Sequence, residues 1–208
     1  MTQILQEKIA VARTIGIYGG TFDPIHNAHL LLAECAREEL GLDVLLFIPA
    51  NIPPHKIAGR PITPARCRLD MLRLAITSNP CFTLSTLEID NQGVSYTVDT
   101  LRHLRGRYPA AAFTLLIGGD AARDFHTWRQ PEEIARLASI AVVGRPGVEL
   151  PPEVLPGVGF RRVDAPLMEI SSTDIRERVR TGKSIRYRVP EAVREYILEQ
   201  GLYGEVKS

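Results

Sequence analysis

The run Gly19-Gly20-Thr21-Phe22-Asp23-Pro24-Ile25-His26-Asn27-Ala28-His29 gathers residue types that could handle a phosphate. Two glycines let a backbone come close to a ligand with no Cβ in the way. Two histidines three positions apart lie on one face once a helix begins. The free amides at the start of a helix attract anions. Together these features describe a phosphate site with its own cationic or hydrogen-bond-donating side chains. His26 and His29 can also be read as a helix cap and a core histidine. They can be read as metal ligands too, although no third ligand is apparent in the sequence.

Three further runs carry groups suited to phosphate or nucleotide binding. They are Asn51-Ile52-Pro53-Pro54-His55-Lys56, Gly118-Gly119-Asp120, and Ile170-Ser171-Ser172-Thr173-Asp174-Ile175-Arg176. Each has a plainer reading by itself: a solvated proline-rich loop, an Asp120 N-cap, and serine capping of a helix. Their placement argues for more. Each of the four runs follows an apolar strand-like segment or opens a helix, so all four fall at one edge of the sheet described next.

Short β-branched and apolar runs occur at Ile15–Tyr18, Val44–Pro49, Phe82–Leu84, Phe113–Ile117 and Ile140–Val143, with a weaker run at Gly159–Val163. Continuous apolar runs suit strands buried on both faces. Helical patterns lie between them. Leu30–Leu40 ends at Gly41, a natural residue just past a helix C-terminus. Thr63-Pro64 reads as an N-cap followed by a first-turn proline, with the helix running to about Ser78. Tyr96–Tyr108 and Pro131–Ala138 complete the alternation. The pattern predicts a Rossmann-like, doubly wound parallel α/β sheet, with ligands beyond the carboxyl ends of its strands. Ser171–Arg180 and Pro190–Gln200 follow with no strand between them and predict a C-terminal helical extension folded across that edge. The expected organisation is one domain, an α/β core over 1–165 and a helical part over 166–208. Gly144–Pro156 reads as a loop.

Composition narrows the chemistry. The formal charge of +1 gives no broad footprint for nucleic acid. Cys35, Cys67 and Cys81 are odd in number and lack a C-x-x-C spacing, against a disulfide framework or a cysteine-rich zinc site. No segment resembles a signal peptide, and none approaches the roughly 18–20 apolar residues of a membrane span, so the cytoplasm is the expected location. The P-loop pattern, the full G-x-G-x-x-G fingerprint and the G-x-S-x-G elbow are absent from the sequence. What remains is phosphoryl or nucleotidyl transfer without a covalent intermediate, in which a protein aligns the attacking group and stabilises charge on the transferring one.

G-G-T-F-D-P-I-H-x-x-H followed by I-S-S-T-x-I-R resembles the nucleotidyltransferase superfamily, and within it the bacterial nicotinate mononucleotide adenylyltransferases. Pro53-Pro54-His55-Lys56, Ser95-Tyr96-Thr97, Gly118-Gly119-Asp120, Trp128, Arg145-Pro146-Gly147 and Gly201-Leu202-Tyr203 extend the resemblance over almost the whole chain. It implies adenylyl transfer from ATP to nicotinate mononucleotide, giving deamido-NAD and pyrophosphate. Mg²⁺ would be bound through the phosphates and not by protein side chains. By this resemblance His26, His29 and Arg176 are catalytic. Gly19, Gly20, Thr21, Phe22, Gly118, Asp120, Ser171, Ser172 and Thr173 serve ATP. Asp23, His55, Lys56, Thr97, Trp128 and Arg145 serve the mononucleotide, with Trp128 stacking on the pyridine ring and the Thr97 amide facing its carboxylate. Ala28 departs from the family's usual glycine, and Arg129 stands where several relatives carry an aromatic residue. Another superfamily transferase, such as the pantetheine-phosphate type, and a non-catalytic nucleotide-binding module are the alternatives. Assembly into a homo-oligomer is left open.

Overall fold

The computed structural model describes residues 9, 11–53, 62–144, 150 and 152–204. Among these, six strands form one sheet: β1 (Thr14–Gly20), β2 (Val44–Pro49), β3 (Phe82–Leu84), β4 (Ala112–Gly118), β5 (Ser139–Gly144) and β6 (Arg161–Asp164). Their order is β3-β2-β1-β4-β5-β6, and every neighbouring pair is parallel. The order reverses direction at β1 and β4, which is where ligands enter doubly wound sheets. All six residues of β2 are buried, as a central parallel strand requires.

Among the described residues these α-helices flank the strands: α1 (Asn27–Leu40), α2 (Ala65–Ile76), α3 (Leu87–Asp90), α4 (Thr97–Arg107), α5 (Gly119–Arg123), α6 (Pro131–Leu137), α7 (Ser172–Arg180) and α8 (Glu191–Glu199). They divide the core between the two sheet faces. On one face Phe22, Phe47, Met71, Leu72, Ile175 and Ile197 pack together. On the other, Ile17, Leu46, Leu101, Phe113, Phe125 and Ile140 do. Gly41 ends α1 in the left-handed conformation (φ 63°, ψ 43°), which spares a Cβ clash and lets its N–H close the last turn.

The predicted sheet and helix alternation is present, with local differences. α1 starts at Asn27, three residues before Leu30, and α2 starts at Ala65 with Pro64 as its N-cap residue. The short helices α3 and α5 lie inside stretches read as connections. Four and five residues are too few to show a helical period. β6 begins at Arg161 and not Gly159. The loop reading of Gly144–Pro156 falls partly outside the described residues.

Candidate active site

The site grows from the end of β1. Gly19 and Gly20 pair in register with Ile48 and Pro49 of β2, and the Ala50 N–H donates to the Gly20 carbonyl (2.9 Å). The two glycines serve different ends. A Cβ on Gly20 would lie 2.9 Å from the Phe22 ring, whereas a Cβ on Gly19 would meet nothing within 4 Å. Gly20 is there for packing, and Gly19 leaves open space above the strand end. Gly118, at the end of β4, also faces open space.

Phe22 is buried (3% exposed) and takes a positive φ of 49°, so the chain folds back beneath the histidines. Its ring meets His29 edge-on, with centroids 5.2 Å apart, and Tyr18 closes the same pocket at 6.1 Å from His29. Phe22, predicted among the ATP-binding residues, is thus a support under the imidazole.

His26 caps α1 in extended conformation. Its backbone N–H donates to His29 Nδ1 (3.3 Å), and the two imidazoles stack with centroids 3.6 Å apart. Accepting at Nδ1 leaves the His29 proton on Nε2, which makes that atom a donor. The His29 N–H goes to the His26 carbonyl (2.9 Å) and not to the His26 ring, whose Nδ1 is buried with no hydrogen-bond partner among the described residues. Burial lowers the His26 pKa to about 4. His29 is held well below the usual histidine range, first by burial and then by the neighbouring His26. Without substrate, then, both rings are neutral at pH 7: they are hydrogen-bond donors, not standing cations. Ala28 lies within α1 and is buried, so the ordinary helical backbone accepts its methyl group without the freedom of a glycine.

The start of α7 meets this loop. Arg176 Nη1 donates to the Asp23 carbonyl (2.7 Å), and its Nη2 donates to Thr173 Oγ1 (3.0 Å). Ser172 Oγ donates to the Pro24 carbonyl (2.9 Å). Ser171 is the N-cap and accepts from the Asp174 N–H (3.1 Å). The turn before α8 reaches α1 in the same way. The Asn27 N–H and side-chain amide donate to the Arg188 and Tyr187 carbonyls at 2.9 and 2.7 Å. The C-terminal helices therefore dock on the histidine loop, across sequence separations of 148 residues for Ser172 and 153 for Arg176.

Asp23 has an inward-facing role. It is 2% exposed, and its carboxylate accepts from Tyr203 Oη (2.8 Å) and the Thr63 N–H (3.4 Å). The structure places it as an anchor beneath the loop. Asp120 lies inside the first turn of α5 and does not cap it; Gly118 is the N-cap residue. Its side chain is fully exposed and pairs with Arg123 at 2.8 Å.

Of the residues expected to serve the mononucleotide, Thr97 is the first residue of α4, one past the N-cap residue Tyr96. Its amide belongs to the first turn, where no intrahelical carbonyl is available. Trp128 is half-buried and rests against Phe125, with ring centroids 5.2 Å apart. The Arg129 guanidinium lies over the Tyr96 ring (4.6 Å) and pairs with Asp99 (3.3 Å), so its charge is already engaged. His55, Lys56 and Arg145 lie outside the described residues.

Arg68 was not among the expected site residues. It is 1% exposed and donates to four backbone carbonyls, those of Thr21, Ala50, Asn51 and Thr63. A signal did exist in the sequence: Arg68 shares the helical stripe of Leu72 and Ala75, where an exposed arginine is not expected.

A stacked histidine pair at a helix start, an open glycine backbone and an arginine-bearing second helix meet at the switch point of the sheet. A family model described as cytidylyltransferase-like matches residues 17–178. The probable nicotinate-nucleotide adenylyltransferase of Thermomicrobium roseum is 47% identical over 204 residues, covering 93% of each chain. That of a Thermus thermophilus strain is 47% identical over 189 residues, covering 91% of this chain and 98% of its own. The chain belongs to the nicotinate-nucleotide adenylyltransferase family. The solved structure of Plasmodium falciparum nicotinic acid mononucleotide adenylyltransferase complexed with NaAD superposes with a TM-score of 0.78 at 20% identity, covering 92% of this chain and 97% of that one. At that identity the likeness concerns the fold. Among the described residues no helix is long and apolar enough to cross a membrane.

Proposed function

We propose that this chain transfers the adenylyl group of ATP to nicotinate mononucleotide, releasing pyrophosphate and forming deamido-NAD. The observation that carries the reading is the meeting of two distant elements at one loop. Arg176 holds the Asp23 carbonyl at 2.7 Å, three residues before the stacked His26 and His29. In the reaction an oxygen of the mononucleotide 5′-phosphate attacks the α-phosphorus of ATP. The bond from that phosphorus to the bridging oxygen breaks, and pyrophosphate leaves. His26 and His29 donate to the α-phosphate oxygens and stabilise their growing charge. Thr173 and Arg176, with the free amides of α7, hold the leaving pyrophosphate. Gly19 and Gly118 leave room for ATP, and Asp120 accepts from its ribose hydroxyls.

On the acceptor side, Trp128 stacks on the pyridine ring, an electron-poor partner for an indole face. The Thr97 amide faces the nicotinate carboxylate, while His55, Lys56 and Arg145 hold the mononucleotide phosphate. Among the described residues no three His, Cys, Asp or Glu side chains gather as they would around an ion, and the Asp23 carboxylate is already hydrogen-bonded. A magnesium ion carried on the ATP phosphates would offset their charge. The same reading takes 1–208 as one catalytic domain working in the cytoplasm.

The test is pyrophosphate release from ATP with nicotinate mononucleotide, nicotinamide mononucleotide or phosphopantetheine as acceptor. Release is expected to be fastest with the first. Release with phosphopantetheine alone would move the chain to the pantetheine-phosphate type, and none with any acceptor would leave a binding module.

A further inference from the structure

We infer that Arg68 is a positioning residue: it locks the glycine loop of the ATP side to the loop that leads to the mononucleotide side, and so sets the distance between the two substrates. This rests on the function proposed above and names a further residue for it.

Arg68 sits in the first turn of α2 with its side chain buried beneath the strand ends. Its Nη1 donates to the Thr21 carbonyl (2.9 Å), next to Gly19 and Gly20, and to the Ala50 carbonyl (2.7 Å), just past β2. Its Nη2 donates to the Asn51 carbonyl (3.3 Å) and its Nε to the Thr63 carbonyl (3.0 Å). One rigid, planar fork therefore spans three separate pieces of backbone. A guanidinium suits this task because its donors keep fixed relative directions.

The second loop passes the constraint on. The Asn51 N–H donates to Ser95 Oγ (2.9 Å), and its side-chain amide donates to the Gly93 carbonyl (3.1 Å). The Ser95 N–H donates to the Ile52 carbonyl (3.0 Å). Ser95 lies two residues before Thr97, the start of the α4 turn. The chain of contacts runs from the glycine loop through Arg68 and Asn51 to Ser95, and it joins the two halves of the site. In-line attack depends on that spacing, because a displacement of about 1 Å costs up to about 100-fold in rate.

A buried charge also needs a reason to be there. Burial lowers the Arg68 pKa, and the Asp23 carboxylate opposes that effect. Apolar packing would fill the same volume without a buried charge, yet it would leave four carbonyls without these donors.

The experiment compares wild type with Arg68→Met, Arg68→Lys and the control Arg73→Met. Arg73 lies on the same helix, is 57% exposed and pairs with Asp70. Each variant is assayed with ATP and nicotinate mononucleotide at a temperature where circular dichroism shows it folded. Hydrogen exchange is followed in the peptides covering residues 19–23 and 50–53. The wild-type assay tests the proposed function by itself. Given an active wild type, Arg68→Met is expected to lose about 10–100-fold in kcat, with faster exchange in both peptides. Arg68→Lys should recover part of both, and Arg73→Met should match wild type. If folded Arg68→Met keeps kcat within about twofold, or loses it with exchange unchanged in both peptides, the inference fails. If Arg68→Met does not fold, Arg68→Lys decides in the same way.

Discussion

His26 and His29 stack face to face, 3.6 Å between centroids and 22° between planes, and the His26 backbone N–H holds His29 in place. Two like groups this close would repel each other if both were charged. Burial lowers the pKa of both rings, and His26 lowers that of His29 further, so the pair offers two donors without a standing charge conflict. If the pair donates to phosphate as proposed, the anion would favour protonation of both rings and raise their pKa values.

Removing one donor should therefore be costly in rate and modest in binding. His26→Ala and His29→Ala are each expected to lower kcat by about 100–1,000-fold, the usual effect of deleting one preorganised donor to a developing anion. Steady-state kinetics with thermal unfolding checks this. A folded His29→Ala enzyme with near-normal turnover would take that ring out of the reaction.

The same burial predicts how stability depends on pH. The unfolded chain has ordinary histidines with pKa near 6.5, while folded His26 titrates only at about 4. Between those values the unfolded state binds protons that the folded state refuses. Stability is thus complete above about pH 6.5 and falls as pH drops toward 4, by up to about 3 kcal/mol from His26 alone. Urea unfolding at several pH values should show that slope, and it should be shallower in His26→Gln. An equally steep slope in the variant would assign the effect elsewhere.

The sequence made some of this legible and hid the rest for definable reasons. β2 could be read end to end because all six residues are apolar or proline and buried on both faces. The start of α1 at Asn27 showed only in the reading of His26 as a cap, since it depends on a histidine amide bonding to a histidine ring and not on apolar periodicity. His26 and His29 could be singled out as candidates because glycine and histidine types at a strand end suit phosphate chemistry. Arg68 went unread although its place on the apolar stripe of α2 offered a signal, because its partners are carbonyls from three loops. Backbone acceptors have no letter in a sequence. Asp23 is likewise held by groups distant in the chain, Tyr203 and Thr63, which lie 180 and 40 residues away, and no local spacing announces them.

Trp128 offers a direct test of the acceptor side. It is the only tryptophan, so its fluorescence reports on one place. It rests on Phe125 and keeps part of its surface open. Nicotinate mononucleotide should quench it and ATP alone should not. Trp128→Ala should raise the KM for the mononucleotide about tenfold, in keeping with one lost aromatic contact of about 1 kcal/mol plus buried area, while the KM for ATP stays close to wild type. The opposite pattern would put Trp128 on the ATP side.

Tyr203 ties the C-terminal part of the chain to the reacting loop and gives the last prediction. Its hydroxyl donates to Asp23 Oδ1 at 2.8 Å, and the Asp23 carbonyl in turn accepts from Arg176 at 2.7 Å. One residue thus holds both Tyr203 and the arginine proposed to face pyrophosphate. Burial and the Asp23 charge push the Tyr203 pKa far above its ordinary value, so the hydroxyl stays a donor at any working pH. Tyr203→Phe keeps the ring and removes the hydroxyl, which also shares a hydrogen bond with the Thr63 side chain. It leaves a buried carboxylate one hydrogen bond short, which should lower unfolding stability by about 1–3 kcal/mol. Because Asp23 stays anchored by the Thr63 N–H, the loop should hold its course and kcat should fall less than with Arg176→Ala. Denaturant unfolding and steady-state kinetics on the two variants separate the effects. A Tyr203→Phe protein as stable as wild type would mean that the carboxylate finds water in place of the phenol, and that Tyr203 is not what fixes Asp23.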